Sequence, residues 1–230
     1  MTQATLVLAG KVLLVTATDT GVGKTFGGCA LARLLVEKGR RIAAVKPVET
    51  GCSEEPSPDE DGVLLAKATG QWAPQAALVR LRAPLAPPIA ADLENRTLKL
   101  APWVQKIRGL SAEYEVVIVE GAGGLLTPLT WEETARDLAL KTEARALLVC
   151  PDRLGGLNQA LLAMEVLRHS ETPLAGVVLN APQDSDQTTG KNAEALRRFS
   201  GFERIITLPR VREPEEAIGF LEPLTDWIVQ

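Results

Sequence analysis

Short aliphatic and β-branched runs alternate along the chain with longer stretches in which apolar positions recur at helical spacing. Val12 to Val15 is followed by a helix-period segment from Thr25 to Lys38 and then by Ile42 to Val45, with Gly39 placed to end the helix. The rhythm returns in "VVIV" (Val116 to Val119), "ALLV" (Ala146 to Val149), "AGVVLN" (Ala175 to Asn180) and "RIITLP" (Arg204 to Pro209). Between these runs lie helical patterns at Trp131 to Lys141, Asn158 to His169 and Lys191 to Phe199. Thr130 and Glu133 have capping-box spacing for the first of the three. Such alternation predicts an α/β fold with a mostly parallel central sheet and helices on both faces, whose ligands gather at the carboxyl ends of the strands. The Pro-rich "APLAPPIAA" (Ala83 to Ala91) reads as a rigid surface loop.

The totals narrow the picture. A chain of 230 residues with 46% hydrophobic composition is expected to form one domain over 1–230 with a sizeable core. Net charge is −4, no long block of like charge occurs and aromatics are 4%, which argues against nucleic acid as a partner, since that calls for a basic face. Cys29, Cys52 and Cys150 are widely spaced and form no C-x-x-C pair, so neither a disulfide framework nor a zinc site is indicated. A reducing compartment, the cytoplasm, is expected. The apolar stretch Thr5 to Ala17 lacks a basic flank and is broken by Lys11, so it does not read as a signal peptide. No other apolar run approaches the ~18 residues of a membrane span.

The chemistry starts in "TDTGVGKT", Thr18 to Thr25, which leaves a strand and enters a helix. The strict pattern G-x-x-x-x-G-K-[ST] fails, because Thr18 stands where its first glycine belongs. A loop one residue longer would place that turn at Ala17, which would be strained if φ there had to be positive. Backbone N–H groups and the helix dipole converge where an anion can sit, and Gly21 and Gly23 permit close approach. Lys24 is placed to reach β- and γ-phosphates and Thr25 to ligate Mg²⁺. In "KPVETG" (Lys46 to Gly51) Lys46 ends a strand before Pro47; it reads either as a snorkelling surface lysine or as a cation facing the phosphate crevice. Its pairing with Lys24 favours the second reading and suggests another anionic reactant. Asp61, directly before a helical pattern, is either an N-cap or a Mg²⁺ ligand. Glu120 ends the buried run "VVIVE" ahead of Gly121, Gly123 and Gly124, and a carboxylate there needs a partner or a metal; metal is favoured. His169 falls at a helix end, where a dipole partner is expected, and Cys150 reads as a buried thiol.

The ordered set "TATDTGVGKT", "KPVETG", "EGAGGLLTPL" and "LNAPQD", spread over Thr16 to Asp184, resembles the dethiobiotin synthetase family. The resemblance implies a single-domain P-loop NTPase fold, a homodimer, and ATP-dependent ring closure of 7,8-diaminononanoate with CO₂ or bicarbonate. A carbamate and a carbamic-phosphoric anhydride lie on that route. It further implies that Lys24 and Thr25 meet the phosphates and Mg²⁺, and that Gly21, Val22 and Gly23 cradle the nucleotide. Asp61 and Glu120 would complete the metal site with Thr25. Thr20, Lys46 and Thr50 would face the diamine end and the γ-phosphate, with Lys46, Lys24 and Thr20 serving catalysis. Asn180 would read adenine, flanked by Pro209, Arg210 and Val211. Gly155, Gly156, Leu157 and Asn158, within "RLGGLNQ", would cap the substrate carboxylate across the dimer interface. The chain departs from the family pattern at Ala17, where a glycine is usual, and at Pro88, where a histidine is expected. Resemblance after Pro209 is weak.

The rival reading is a ParA- or MinD-like switch ATPase. Those loops carry an extra lysine near their start, which Ala17 to Gly21 lacks. The acidic "EPLTDWIVQ" is also unlike a basic amphipathic membrane anchor, so no membrane partner is expected.

Overall fold

The structure is a computed structural model and describes residues 11–229. The first residues of the apolar stretch from Thr5 lie outside it. Strands β1 (Lys11–Ala17), β2 (Ile42–Val45), β5 (Val116–Glu120), β6 (Arg145–Pro151), β7 (Leu174–Asn180) and β8 (Ile205–Leu208) form one sheet in the order β2-β5-β1-β6-β7-β8. Each pairing in it is parallel. Burial on both faces explains why these strands read as unbroken apolar runs rather than alternating ones.

Successive side chains of a strand serve opposite faces. Leu13, Val15 and Ala17 pack under α1 (Lys24–Glu37), α2 (Asp61–Thr69) and α8 (Pro214–Val229). Val12 and Leu14 pack on the other side, under α3 (Pro87–Leu93), α4 (Leu100–Glu113) and α5 (Ala135–Thr142). Over β6 and β7 that second side is covered by α6 (Gly156–His169) and α7 (Asn192–Ser200). Fully burying one such leucine is worth about 1.5–3 kcal/mol, so the three clusters hold the sheet's geometry firmly. The edge strand β2 is closed by Gln71, whose side-chain amide accepts the Ala44 N–H at 2.5 Å and donates to the Ala44 carbonyl at 2.9 Å. A small parallel sheet, β3 (Val48–Thr50) with β4 (Val79–Leu81), lies beyond β2.

Three local expectations are corrected. The Pro-rich segment is partly helical: Pro87 and Pro88 open α3, where proline loses no helical hydrogen bond. Thr130 and Glu133 form a turn, and the capping box belongs to Thr134 and Asp137, whose carboxylate accepts the Thr134 N–H at 2.8 Å. Asp61 is the first residue of α2, while Glu60 holds the N-cap position. Within the acidic segment, residues 222–229 lie in α8, with Leu224 and Ile228 in the core and Trp227 against Gly176. Among the described residues no helix is long and apolar enough to cross a membrane.

Candidate active site

β1 ends at Ala17 and α1 starts at Lys24, so residues 18–23 turn over the carboxyl end of the sheet. Gly21 and Gly23 adopt φ of 70° and 95°, backbone that a residue with a side chain reaches only at about 1–2 kcal/mol. Ala17 is not among the positive-φ residues; it finishes the strand in extended form, so the strain considered for it does not arise. Gly23 is needed for a second reason. A Cβ there would lie 2.3 Å from Nδ2 of Asn180, which ends β7 and donates to the Val22 carbonyl at 2.9 Å. Lys24 is buried, its Nζ donates to the Asp19 carbonyl at 3.1 Å, and burial lowers its pKa from the ordinary lysine value.

The register of β2 and β5 pairs Val45 with Val119, which brings Lys46 beside Glu120. Lys46 Nζ donates to Glu120 Oε1 at 2.6 Å, to Asp61 Oδ2 at 2.7 Å and to the Gly121 carbonyl at 3.3 Å. Burial disfavours this ammonium, but the facing carboxylates of Glu120 and Asp61 outweigh it and raise its pKa. Burial would likewise raise the Asp61 carboxyl, and the charge of Lys46 reverses the direction, holding it below its usual range. Lys46 is therefore a buried, paired cation, and the snorkelling alternative is excluded.

Thr25 Oγ1 lies 2.7 Å from Asp61 Oδ1 and 2.9 Å from Glu120 Oε1. A hydroxyl carries one proton, so it satisfies one carboxylate and leaves its lone pairs facing the other. Glu120 Oε2 is buried without a hydrogen-bond partner. Hard oxygens crowded together with one orphaned carboxylate atom are the donor set that Mg²⁺ takes, so these residues fit that ion.

A cavity of about 480 Å³ joins these groups, with Thr20, Gly21, Gly23 and Thr50 also on its wall. Asn180 and Pro209 lie outside it at adjacent strand ends, since Asn180 pairs with Leu208 in register and Ala181 N–H donates to the Leu208 carbonyl at 2.9 Å. Arg210 is exposed and Val211 packs partly into the core beside them. Residues 155–158 begin α6, with Gly155 at φ 83°, and do not line this cavity. His169 is the exposed last residue of α6, its Nδ1 within 2.9 Å of the Glu165 carbonyl. Cys150 is fully buried, and burial pushes its thiol up to about 12. Sequence reasoning missed Glu49, which also faces the cavity; its signal was present only as the fourth letter of "KPVETG".

A family model described as "AAA domain" matches residues 11–217. ATP-dependent dethiobiotin synthetase BioD of Anaeromyxobacter dehalogenans strain 2CP-C is 41% identical over 202 residues, spanning 86% of this chain and 89% of that protein. The enzyme of the same name from Aquifex aeolicus is 34% identical over 94% of this chain and 97% of its own length. Among solved structures, the cell division ATPase MinD of Pyrococcus furiosus superimposes with a TM-score of 0.61 at 18% identity, over 94% of this chain and 98% of that one. At that identity the likeness shows a shared fold only.

Proposed function

Since the chain belongs to the ATP-dependent dethiobiotin synthetase family, we propose that it closes the ureido ring of dethiobiotin from 7,8-diaminononanoate, CO₂ and ATP. It is an ATP-dependent ligase. The observation that supports the finer reading is the convergence of Lys24, Lys46, Thr25, Asp61 and Glu120 on one cavity.

In this proposal one amine of the substrate adds to CO₂ to give a carbamate. A carbamate oxygen attacks the γ-phosphorus and ADP leaves; the second amine then attacks the carbamoyl carbon and expels phosphate. Every species along this route is anionic, so the work of the protein is positioning and charge neutralisation. The glycine loop at residues 21–23 and Lys24 receive the phosphates, and Lys46 faces the transferring group. Thr20 and Thr50 orient the amine end. Asn180, Pro209, Arg210 and Val211 flank the base; one Asn180 N–H is given to Val22, and its carbonyl oxygen and second N–H suit adenine. Thr25, Asp61 and Glu120 would hold Mg²⁺, which when bound neutralises charge on the nucleotide phosphates.

The homodimer and a cytoplasmic location belong to the same proposal. Leu126 and Leu162 are exposed on one surface beside Thr18, Asp19 and Thr20 of the P-loop, an apolar surface that a second copy would cover. In the dimer the α6 N-terminus at residues 155–158 would receive the substrate carboxylate. The switch-ATPase alternative has the fold likeness alone in its favour.

The anhydride step is tested with ¹⁸O-labelled bicarbonate. Label appearing in the released phosphate supports attack by a carbamate oxygen; unlabelled phosphate formed together with dethiobiotin contradicts it.

A further inference from the structure

One buried carboxylate on the cavity wall has no role in the chemistry above. Glu49 follows Lys46 by three positions in the strand segment and is 8% exposed. Its Oε1 accepts the Asp61 N–H at 2.6 Å and its Oε2 accepts the Gly62 N–H at 3.0 Å. These amides belong to the first turn of α2 and have no partner inside the helix. The residue at the N-cap, Glu60, does not serve them, because its carboxylate is turned to Arg80, with Nε and a terminal nitrogen each 2.6 Å from one oxygen.

Arg80 stands opposite Glu49 in the register of β3 and β4. The small sheet thus grips the start of α2 with two neighbouring side chains of opposite charge. Gly62 makes the close approach possible, since a Cβ there would lie 2.2 Å from the Ala77 nitrogen. Glu49, Cys52 and Glu60 bring ligand atoms within 4.8 Å of one another, which on distance alone resembles a cation site. The oxygens of both carboxylates already accept N–H groups, those of Glu49 from the α2 backbone and those of Glu60 from the Arg80 guanidinium, so the cluster serves to hold α2 against the small sheet.

We propose that Glu49 is a positioning residue for Asp61: it serves as the cap of α2 from a different strand, and so sets where the Asp61 carboxylate sits relative to Thr25 and Glu120. Charge-assisted hydrogen bonds to a helix N-terminus are strong and directional. Asp61 divides its two oxygens between Thr25 and Lys46, so a small rotation of the first turn of α2 disturbs both contacts. The same bond ties the segment that carries Lys46 and Thr50 to the cation ligand, joining substrate side and metal side through one side chain. This rests on the reading of Asp61 as a Mg²⁺ ligand.

The experiment measures Mn²⁺ binding to the full-length protein with ADP, by electron paramagnetic resonance, for the parent, Glu49→Ala, Glu49→Gln and Asp61→Ala. ADP binding without metal and amide exchange at residues 61 and 62 are measured beside it. Glu49→Ala is expected to weaken Mn²⁺ on the order of 10- to 100-fold, the usual cost of losing a group that orients a ligand. Metal-free ADP affinity is expected to stay at the parent value, and the two amides to exchange faster. Glu49→Gln keeps the shape and one acceptor oxygen, so it is expected to fall between parent and alanine variant; it decides the matter if the alanine variant does not fold. Parent-like Mn²⁺ affinity in both Glu49 variants, with loss in Asp61→Ala, overturns the positioning role and leaves the metal reading standing. Parent-like affinity in Asp61→Ala overturns both.

Discussion

Lys46 and Glu120 form an ion pair of 2.6 Å with both side chains almost wholly removed from solvent, at the meeting of two parallel strands. Removing one partner of such a pair leaves an uncompensated buried charge, which costs about 3–5 kcal/mol. Lys46→Ala is therefore expected to lower thermal stability, and to reduce kcat on the order of 10²–10³ as a lost charge-stabilising contact. ADP affinity is expected to stay close to that of the parent, because Lys24 and the glycine loop hold the nucleotide. Calorimetric binding beside steady-state kinetics checks this; collapse of nucleotide binding with turnover intact would remove Lys46 from its proposed role.

Gly23 and Asn180 are locked together by the 2.3 Å that a Cβ would leave between them. Gly23→Ala adds left-handed strain of about 1–2 kcal/mol to that overlap, and is expected to lower thermal stability by at least that amount. Asn180→Ala in the same chain relieves the overlap but not the strain, so the double variant is expected to recover part of the lost thermal stability, whatever it loses in contact with the base. Equal melting temperatures of the single and double variants would show that the contact is unimportant.

Asp186 fastens the loop ahead of α6, accepting the Leu154 N–H at 2.7 Å and the Thr188 N–H and hydroxyl at 2.7 and 2.6 Å. The Thr188 hydroxyl, with the Leu154 and Thr188 amides, lowers its pKa from 3.8 to about 2. The folded value lies below the unfolded one, so the stabilisation is present above pH 3.8 and is lost as pH falls through about 2. The protection of the Leu154 amide, its exchange rate taken relative to the intrinsic rate at the same pH, is expected to fall as pH drops across that window, and Asp186→Asn to flatten this dependence. A pH-independent protection of the Leu154 amide in the parent would refute the assignment.

Much of the sheet was legible because buried parallel strands leave unbroken apolar runs, and the residue following each run marks the crevice. Lys46 and Glu120 were singled out this way, at the end of β2 and β5; Asn180, at the end of β7, was named through the family resemblance. What escaped depends on distance in sequence. The bond from Glu49 to the Asp61 amide spans 12 positions and exists only because β3 lies against the start of α2. With three residues each, β3 and β4 carry too little periodicity to be seen. Pro87 and Pro88 were read as loop residues although proline is well suited to a helix's first turn. Thr130 and Glu133 had the right spacing for a cap, and Thr134 with Asp137 had it too; local pattern cannot choose between two such pairs a few residues apart.

The central claim is that ATP is spent on the diamine. Purified protein mixed with Mg-ATP and bicarbonate, with and without 7,8-diaminononanoate, is assayed for ADP and, by mass, for the cyclic urea. ADP release that requires the diamine and matches the urea one for one is the expected result. Diamine-independent hydrolysis without urea would contradict the account and favour the switch ATPase.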